Sequence, residues 1–509
     1  MKWRPVPESQ LPPGWHLAPG KAVITLDGVI GRADPRLFGS FVEHLGRCVY
    51  GGLYEPQHPS STPEGFRSDV LELVRELGVT LVRYPGGNFV SGYDWRDGVG
   101  PRQTRPRRLD LAWRSIETNQ FGTDEFLAWC RMAGVQPMLA VNLGLGDVRS
   151  ALELLEHVNH PSGTTISDER VRNGYPEPFD VRLWCLGNEL DGPWQLGARS
   201  AENYGDIARS AAAAMRMFDR DLELTVVGSS HAEMATYGTW ERTVLDRTIE
   251  LVDHVSCHIY VYDDGDLATF LRSADKLRGF LDGIAAAIDD VKQRHPQARD
   301  VRISLDEWNV WDFRAQDSAE GERGFEEAPR LLEQTYTLAD AVVVGTLLQT
   351  ILERADRVAV AALAQLVNAI GAIRTEHDRP AWRQTIFHPF AMAARSAGHT
   401  VRRTRGGEEA DLLTTVTVAP DGTAARIYLG NRRLCEATAV EVDLRELGPL
   451  SVTSAKGLWS DDPYATNTAD DPDRIVPQPL PATLRDGQLQ VTMPPLSWAG
   501  IELRCRPEG

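Results

Sequence analysis

Two glutamates that follow strongly apolar runs are the residues best suited to chemistry. Glu189 ends the run WCLGNE and Glu307 ends ISLDE, and aromatic-rich segments, DGPW and WNVW, come next. Two opposed carboxylates can cleave a glycosidic bond, because one protonates the leaving oxygen while the other attacks the anomeric carbon. A separation of about 5–5.5 Å would give retention of configuration. The aromatic faces beside them suit the C–H surfaces of sugars.

Three further polar residues have side chains that could support this pair. The Arg83 guanidinium offers a fixed fork of donors that could keep Glu307 ionised, and the Tyr260 hydroxyl could donate to the same carboxylate. Asn188 directly precedes Glu189 and could bind a sugar 2-hydroxyl. A structural salt bridge for Arg83 and a turn-forming role for Asn188 remain open. Other polar residues expected at strand ends are Glu43, His44, Asn142, His258, Gln365 and Asn368.

Glycines and tryptophans near these positions suggest how a pocket is closed. The segment PGGN (85–88) permits a tight turn that would bring Asn88 toward a substrate. Trp95, Trp194 and Trp311 could form stacking walls, although each could equally lie in the core.

The elements that must position these residues alternate short apolar runs with amphipathic stretches. Predicted strands cover 38–43, 79–84, 136–143, 181–188, 223–229, 254–260, 301–307 and 358–366. Predicted helices cover 67–77, 123–133, 149–158, 201–218, 239–252, 267–294, 328–354 and 381–397. Eight such units predict an α/β fold, a (β/α)8 TIM barrel whose strand ends share one mouth. An open doubly wound sheet is disfavoured, since GSFVEHLGRC stands where a Gly-rich phosphate loop would follow its first strand.

After residue 398 the sequence pattern changes to short β-rich runs separated by turn residues. This pattern predicts a C-terminal all-β sandwich of jelly-roll type. The run AVITLDG (22–28) reads as a strand that pairs with this domain, since chain ends often meet. The predicted division is an N-terminal segment 1–30, a barrel 31–397 and a β domain 398–509. The acidic, Pro-rich stretch 458–483 is predicted to be a long surface loop.

Composition excludes several classes of partner. With 72 acidic and 54 basic residues among 509, the net charge is −18, which disfavours nucleic acid and anionic membranes. Six widely spaced cysteines, a proline-rich and charged N-terminal segment and the lack of an 18-residue apolar run predict a soluble cytoplasmic protein. No H-E-x-x-H motif or close His/Asp cluster is present, so neither a metal nor another cofactor is expected.

Five motifs in order carry a family resemblance: GSFVEHLGRCVYGGLYEP, VRYPGGNFVSGYDW, WCLGNELDGPW, SLDEWNVW and ALAQLVN. They resemble the α-L-arabinofuranosidases of glycoside hydrolase family 51, a family of retaining barrel glycosidases, over most of residues 20–400. The resemblance implies that Glu189 is the acid/base and Glu307 the nucleophile. It implies a substrate-binding set of Glu43, Arg83, Asn88, Asn188, Tyr260, Trp311 and Gln365.

The resemblance also implies a substrate, an oligomeric state and one departure. The expected substrate is a terminal, non-reducing α-L-arabinofuranosyl unit of small arabino-oligosaccharides or arabinoxylan fragments, and the expected oligomer is a hexamer. Ile259 stands where the family often has a polar residue, followed by VYDDGD, which puts the loop after the sixth strand in doubt. Natural polymer and linkage are left open.

The sequence also predicts an order for the two pKa values and leaves three alternative functions open. The role of acid predicts that Glu189 has the higher pKa of the two glutamates. A metal enzyme, a non-catalytic sugar-binding barrel and a retaining glycosidase for xylo- or gluco-pyranosides are the alternatives, and only the pocket lining separates the last of these from an arabinofuranosidase.

Overall fold

Eight parallel strands close into the predicted barrel in a computed structural model that describes residues 15–314, 324–407 and 411–505. Each strand pairs with its neighbours in chain order, and the eighth closes on the first. The strands are Gly39–Phe41, Leu81–Tyr84, Gln136–Ala140, Leu183–Cys185, Glu223–Val226, His254–Val261, Arg302–Val310 and Val358–Leu363. They are called barrel strands 1 to 8 below. All eight predicted strands are present, because a sheet covered on both faces requires uniformly apolar runs.

The helices surround the barrel. Within the described residues they are Ser68–Leu77, Thr123–Ala133, Val148–Asn159, Thr165–Arg172, Ala201–Phe218, Thr239–Thr248, Leu267–Phe270, Ser273–Arg294, Leu338–Leu352 and Phe387–Ala394. Short 3-10 helices cover Pro35–Phe38, Asn88–Gly92, Trp95–Gly98, Arg102–Thr104 and Arg445–Leu447. None of the described helices is long and apolar enough to cross a membrane.

Four of the predicted helices have wrong boundaries. The stretch 239–252 is helical only to Thr248, and 267–294 is two helices separated at 271–272. The stretch 328–354 becomes helical only at Leu338, because Thr337 and Asp340 form a capping box that starts the helix there. The stretch 381–397 begins instead in a hairpin of Ile373–Glu376 and Arg379–Arg383, and its helix starts at Phe387.

The large remaining sheet has 11 strands and forms the C-terminal β-sandwich. Its strands are His16–Leu17, Ala22–Arg32, Thr400–Arg405, Leu412–Val418, Ala424–Asn431, Glu436–Asp443, Leu450–Leu458, Gln478–Pro479, Ala482–Arg485, Gln488–Met493 and Ser497–Cys505. The N-terminal strand Ala22–Arg32 pairs antiparallel with Thr400–Arg405 and parallel with Glu436–Asp443, so it lies within this domain.

The helix Leu338–Leu352 fixes the sandwich against the barrel. Every one of its residues is buried, because it contacts barrel strand 7 on one side and the β domain on the other. Its Gln349 accepts a hydrogen bond from the Trp498 indole at 3.0 Å and donates to the Tyr428 carbonyl at 3.1 Å. A helix that is apolar on all faces is therefore the expected sequence for this position.

The prediction of a surface loop over 458–483 is wrong in part. Ala465, Asn467 and Ile475 are buried, and the backbone of the segment accepts hydrogen bonds from the N–H groups that begin the helix Leu338–Leu352. Its few apolar residues are enough to bury it, because they meet the barrel rather than each other.

Candidate active site

Glu307 lies on barrel strand 7 with its side chain directed into the mouth and 5% of its surface exposed. Its Oε1 accepts from Arg83 Nη1 at 2.8 Å, and its Oε2 accepts from the Tyr260 hydroxyl at 2.9 Å. Both contacts predicted from the sequence are present. Arg83 also donates from Nη2 to Asn188 Oδ1 at 2.8 Å, so one guanidinium orients both a carboxylate and an amide.

Glu189 directly follows the loop that leaves barrel strand 4. Its φ of +45° is left-handed, a conformation that costs a non-glycine residue about 1 kcal/mol or more. Two contacts hold the side chain: the Trp194 indole donates to Oε2 at 2.7 Å, and His258 Nδ1 lies 2.8 Å from Oε1. Backbone strain at a fully supported residue is typical of a functional site.

The two glutamates meet across the mouth, as strands 4 and 7 of a barrel allow. One carboxylate oxygen of each and His258 Nδ1 all lie within 4.8 Å of one another. So close an approach favours the shorter class of separation, which serves direct attack by one carboxylate rather than activation of a water between the two.

The directions of the pKa shifts run against the order predicted for the two glutamates. Burial opposes ionisation of Glu189, but the hydrogen bond and charge of His258 together with the Trp194 hydrogen bond bring its pKa below the ordinary value. Burial and the nearby charge of Glu189 raise the pKa of Glu307, against the opposing effects of His258 and Arg83. The sequence prediction considered only the two carboxylates and omitted the histidine between them.

Glu43 forms the opposite wall of the pocket. Its Oε1 accepts from the Phe89 N–H at 2.9 Å and from the Trp113 indole at 2.8 Å, and its Oε2 accepts from Gln365 Nε2 at 3.0 Å. Burial, with the charge of Glu307 in second place, raises the pKa of Glu43 to about 8. The hydrogen bonds from Phe89 and Trp113 act in the opposite direction and lower this pKa.

Two buried amide atoms in the pocket have no protein partner among the described residues. They are Asn188 Nδ2, a donor, and Gln365 Oε1, an acceptor. Unpaired buried polar atoms are costly, and a sugar hydroxyl can satisfy either kind. The other amide atom of each side chain is already bonded, to Arg83 and Glu43 respectively, which fixes the orientation of both.

The loop after barrel strand 2 passes directly over the side chains of Glu43 and Glu307. A Cβ on Gly86, whose φ is +153°, would lie 2.6 Å from Glu43 Cγ, and one on Gly87 would lie 3.3 Å from Glu307 Oε1. The position of Gly86 therefore requires glycine, and a side chain at Gly87 would press on the carboxylates of Glu43 and Glu307. Asn88 follows, half-buried at the start of a 3-10 helix beside the pocket.

The predicted tryptophan walls divide into three cases. Trp311 packs edge-to-face on Tyr260 with ring centroids 5.0 Å apart, next to the nucleophile candidate. Trp194 touches Glu189 and is 47% exposed. Trp95 is no wall of this site: it is buried, donates to the Ser150 carbonyl and lies against His157, so the core alternative is correct for it.

His44, a predicted strand-end residue, lies behind the pocket wall, and the contacts that His258 and Trp113 make at the site were not predicted. His44 is bonded to Glu117 and Tyr84, each at 2.8 Å, and supports the wall from behind. His258 lies at a strand end as predicted, but its contact with Glu189 was not predicted from the sequence. Trp113, in a long connection, gave no signal.

Three potential metal ligands meet here, from Glu189, His258 and Glu307. Their geometry does not favour a cation, because both ring nitrogens of His258 face carboxylates at 2.8 and 3.0 Å and Glu307 already holds the Arg83 guanidinium. That the enzyme needs no metal stays a prediction. An assay after exhaustive chelation tests it, and the activity should be unchanged.

Comparison with known proteins gives the family. The model of the α-L-arabinofuranosidase 1 domain matches residues 73–277, and that of the α-L-arabinofuranosidase C-terminal domain matches 306–497. An intracellular exo-α-(1→5)-L-arabinofuranosidase of Streptomyces lividans is 50% identical over 95% of this chain and 75% of its own length. An exo-α-(1→6)-L-arabinofuranosidase of Bifidobacterium longum is 48% identical over 96% of this chain and 98% of its own length.

Solved structures agree. A family 51 α-L-arabinofuranosidase from Bifidobacterium longum superposes with a TM-score of 0.91 and 43% identity, covering 95% of this chain and all of that one. An α-L-arabinofuranosidase from Thermotoga maritima in complex with arabinose superposes with a TM-score of 0.84 and 32% identity, covering 95% of this chain and 99% of that one. The chain therefore belongs to the family 51 α-L-arabinofuranosidases and is an exo-acting glycoside hydrolase.

Proposed function

We propose that this protein removes terminal α-L-arabinofuranosyl residues by double displacement, with Glu307 as nucleophile and Glu189 as acid/base. The observation that carries the proposal is the approach of these two carboxylates to within 4.8 Å in a buried mouth, each with its own donors. That spacing suits retention of configuration.

Glu307 is prepared for attack by its two donors. In the first step one of its oxygens bonds to the anomeric carbon, the glycosidic C–O bond breaks, and the leaving oxygen takes a proton from Glu189. Arg83 and Tyr260 orient the carboxylate, and Arg83 stabilises its charge. In the second step water bonds to the anomeric carbon and gives a proton to Glu189, and the ester to Glu307 breaks.

The other pocket residues recognise the sugar. Asn188 Nδ2 and Gln365 Oε1 offer one donor and one acceptor, and Glu43 offers a carboxyl group that three protein donors hold in place. Asn88 and Trp311 complete the lining. A site built to pair particular hydroxyls rejects sugars that leave these groups unpaired. Membership of family 51 supports an arabinofuranosyl unit over the pyranoside alternative.

The two glutamate roles are tested by azide rescue. In Glu307→Ala, azide should attack the anomeric carbon directly and give an arabinofuranosyl azide of inverted configuration. In the matched variant Glu189→Ala, azide should attack the covalent intermediate and give the azide of retained configuration. Exchange of these two products between the variants would overturn the assignment, and NMR of the products measures it.

Several wider proposals rest on resemblance. Relatives named as intracellular and as acting on α-(1→5) links support a cytoplasmic enzyme that consumes small arabino-oligosaccharides in the degradation of arabinan. We also propose a hexamer, no nucleic acid or membrane partner, and a division of the chain into 1–30, 31–397 and 398–509. Sedimentation equilibrium measures the first, and limited proteolysis the last.

A further inference from the structure

Three acidic and imidazole side chains form a line beneath the mouth. Asp306 Oδ1 lies 3.0 Å from His258 Nε2, and His258 Nδ1 lies 2.8 Å from Glu189 Oε1. Asp306 is completely buried and His258 is 2% exposed. The line runs from the barrel interior to the carboxyl group that faces the leaving group.

The number of protons in this line follows from its acceptors. An ionised carboxylate only accepts hydrogen bonds, so Asp306 requires a proton on Nε2. The short contact at Nδ1 requires a second proton, either on the nitrogen or on Glu189 itself. These are two positions of one proton in one hydrogen bond, which is the proton that the leaving oxygen needs.

The surroundings of Asp306 keep it ionised. Burial alone would raise its pKa, but the charges of Arg83 and His258 bring it below the ordinary value. Arg83 Nε lies 3.8 Å away, and the Cys185 thiol donates at 3.6 Å. Asp306 points away from the pocket that holds the sugar, since His258 stands between it and Glu189.

We propose that Asp306 is a positioning residue that keeps His258 doubly protonated, so that the catalytic proton is held in the His258–Glu189 hydrogen bond until the leaving oxygen takes it. The inference rests on the proposed role of Glu189 and adds a source for its proton. In the glycosylation step the proton moves from this hydrogen bond to the leaving oxygen; in the second step a proton from water restores it.

Other charged groups bear on His258 and set the direction of its pKa. Burial lowers the pKa, but the surrounding carboxylates raise it well above the ordinary value, with Glu307 the largest of them. The charged groups that act on it are Glu189, Asp306, Glu307 and Asp191, and Arg83 lies beside Asp306. Asp306 is the member of this set that touches Nε2 and has no expected contact with substrate.

The test is the pH profile of kcat/KM in Asp306→Asn. Removing a negative charge in contact with the imidazolium should lower the pKa of the shared proton, so the basic limb should move down by about 1 to 3 pH units. On the acidic side of the limb the activity should stay close to that of wild type. The shift should be larger for arabino-oligosaccharides than for an aryl arabinofuranoside, which needs little proton donation.

Ser304→Ala is the matched control, because Ser304 is buried two residues earlier on the same strand and its hydroxyl has no partner among the described residues. Its profile should match that of wild type. A loss in Asp306→Asn that is equal at every pH and for every leaving group would mean a merely structural role and would overturn the proposal.

A second measurement does not depend on the folding of that variant. NMR of wild-type enzyme labelled with ¹⁵N-histidine should show both ring nitrogens of His258 protonated at pH 7, with the signals assigned by their loss in His258→Gln. A neutral imidazole, with the proton missing from either ring nitrogen, would overturn the inference. Failure of the proposed function is separate: Glu189→Gln would then keep its rate on poor leaving groups.

Discussion

Two tryptophans make the same hydrogen bond in two different regions of the site. The Trp113 indole donates to Glu43 on the sugar side at 2.8 Å, and the Trp194 indole donates to Glu189 on the leaving-group side at 2.7 Å. Trp113 is 8% exposed, whereas Trp194 is 47% exposed and stacks on His231 at its outer edge. One region is sealed and the other is open.

The difference indicates how the enzyme divides its specificity. On the sealed side, polar groups that lose a partner cannot turn to water, so a wrong sugar carries the full penalty. On the open side, water replaces a lost contact and aromatic surface accepts varied partners. Phe313, 41% exposed beside Tyr262, is a further exposed aromatic ring, on the segment that follows barrel strand 7. The structure therefore supports strict choice of sugar and tolerance of the leaving group.

The largest expected effect is on proton donation at the open side. Glu189→Ala should lower kcat/KM about 10³-fold for arabino-oligosaccharides but far less for p-nitrophenyl α-L-arabinofuranoside, whose leaving group needs little protonation. Steady-state kinetics on a series of leaving groups measures this dependence. A uniform loss along the series would contradict the acid role.

The sealed side should discriminate between sugars by a smaller but clear factor. The rate on p-nitrophenyl α-L-arabinofuranoside should exceed that on the arabinopyranoside or the β-xylopyranoside by at least about 100-fold, or about 2.7 kcal/mol in transition-state binding. Gln365→Ala, which removes an unpaired acceptor and a bond to Glu43, should narrow that ratio. Equal rates on furanoside and pyranoside would contradict the pocket described above.

The tryptophan pair compares the two regions directly. Trp113→Phe and Trp194→Phe each remove one indole N–H and keep a ring. We expect about 10-fold loss of kcat/KM in the first and about threefold in the second, because a buried unpaired acceptor costs more than one that water reaches. Parallel assays on one aryl substrate measure both, and a larger loss in Trp194→Phe would reverse the comparison.

The smallest effect expected is on stability. The pKa of Glu43 is raised from 4.5 to about 8, so between these pH values the unfolded chain has released a proton that the folded chain keeps. Rising pH over this range therefore destabilises the wild type through Glu43, and Glu43→Gln removes the effect. The Tm of the variant relative to wild type should rise by about 2 °C from pH 5 to pH 8. A constant difference would show that Glu43 does not titrate in this way.

Much of the site was predictable because barrel strands bring distant residues to one mouth. Glu189 and Glu307 could be paired once the strands were counted, and the contacts of Arg83 and Tyr260 with Glu307 followed from their chemistry. Trp95 was ambiguous because a tryptophan after a strand has the same sequence signature in a wall and in a core. Trp113 was missed because nothing in a long connection indicates where its hairpin, Arg108–Asp110 and Ser115–Glu117, folds back.

The sequence by itself determined the barrel, the β-sandwich and the two carboxylates, since apolar runs, turn residues and strand-end glutamates are local features with one consistent arrangement. Only the tertiary structure decided the proton distribution and the two faces of the pocket. The pKa values of Glu189 and Glu307 depend on His258 and Arg83, which come from barrel strands 6 and 2, and such electrostatic coupling is a property of the assembled mouth.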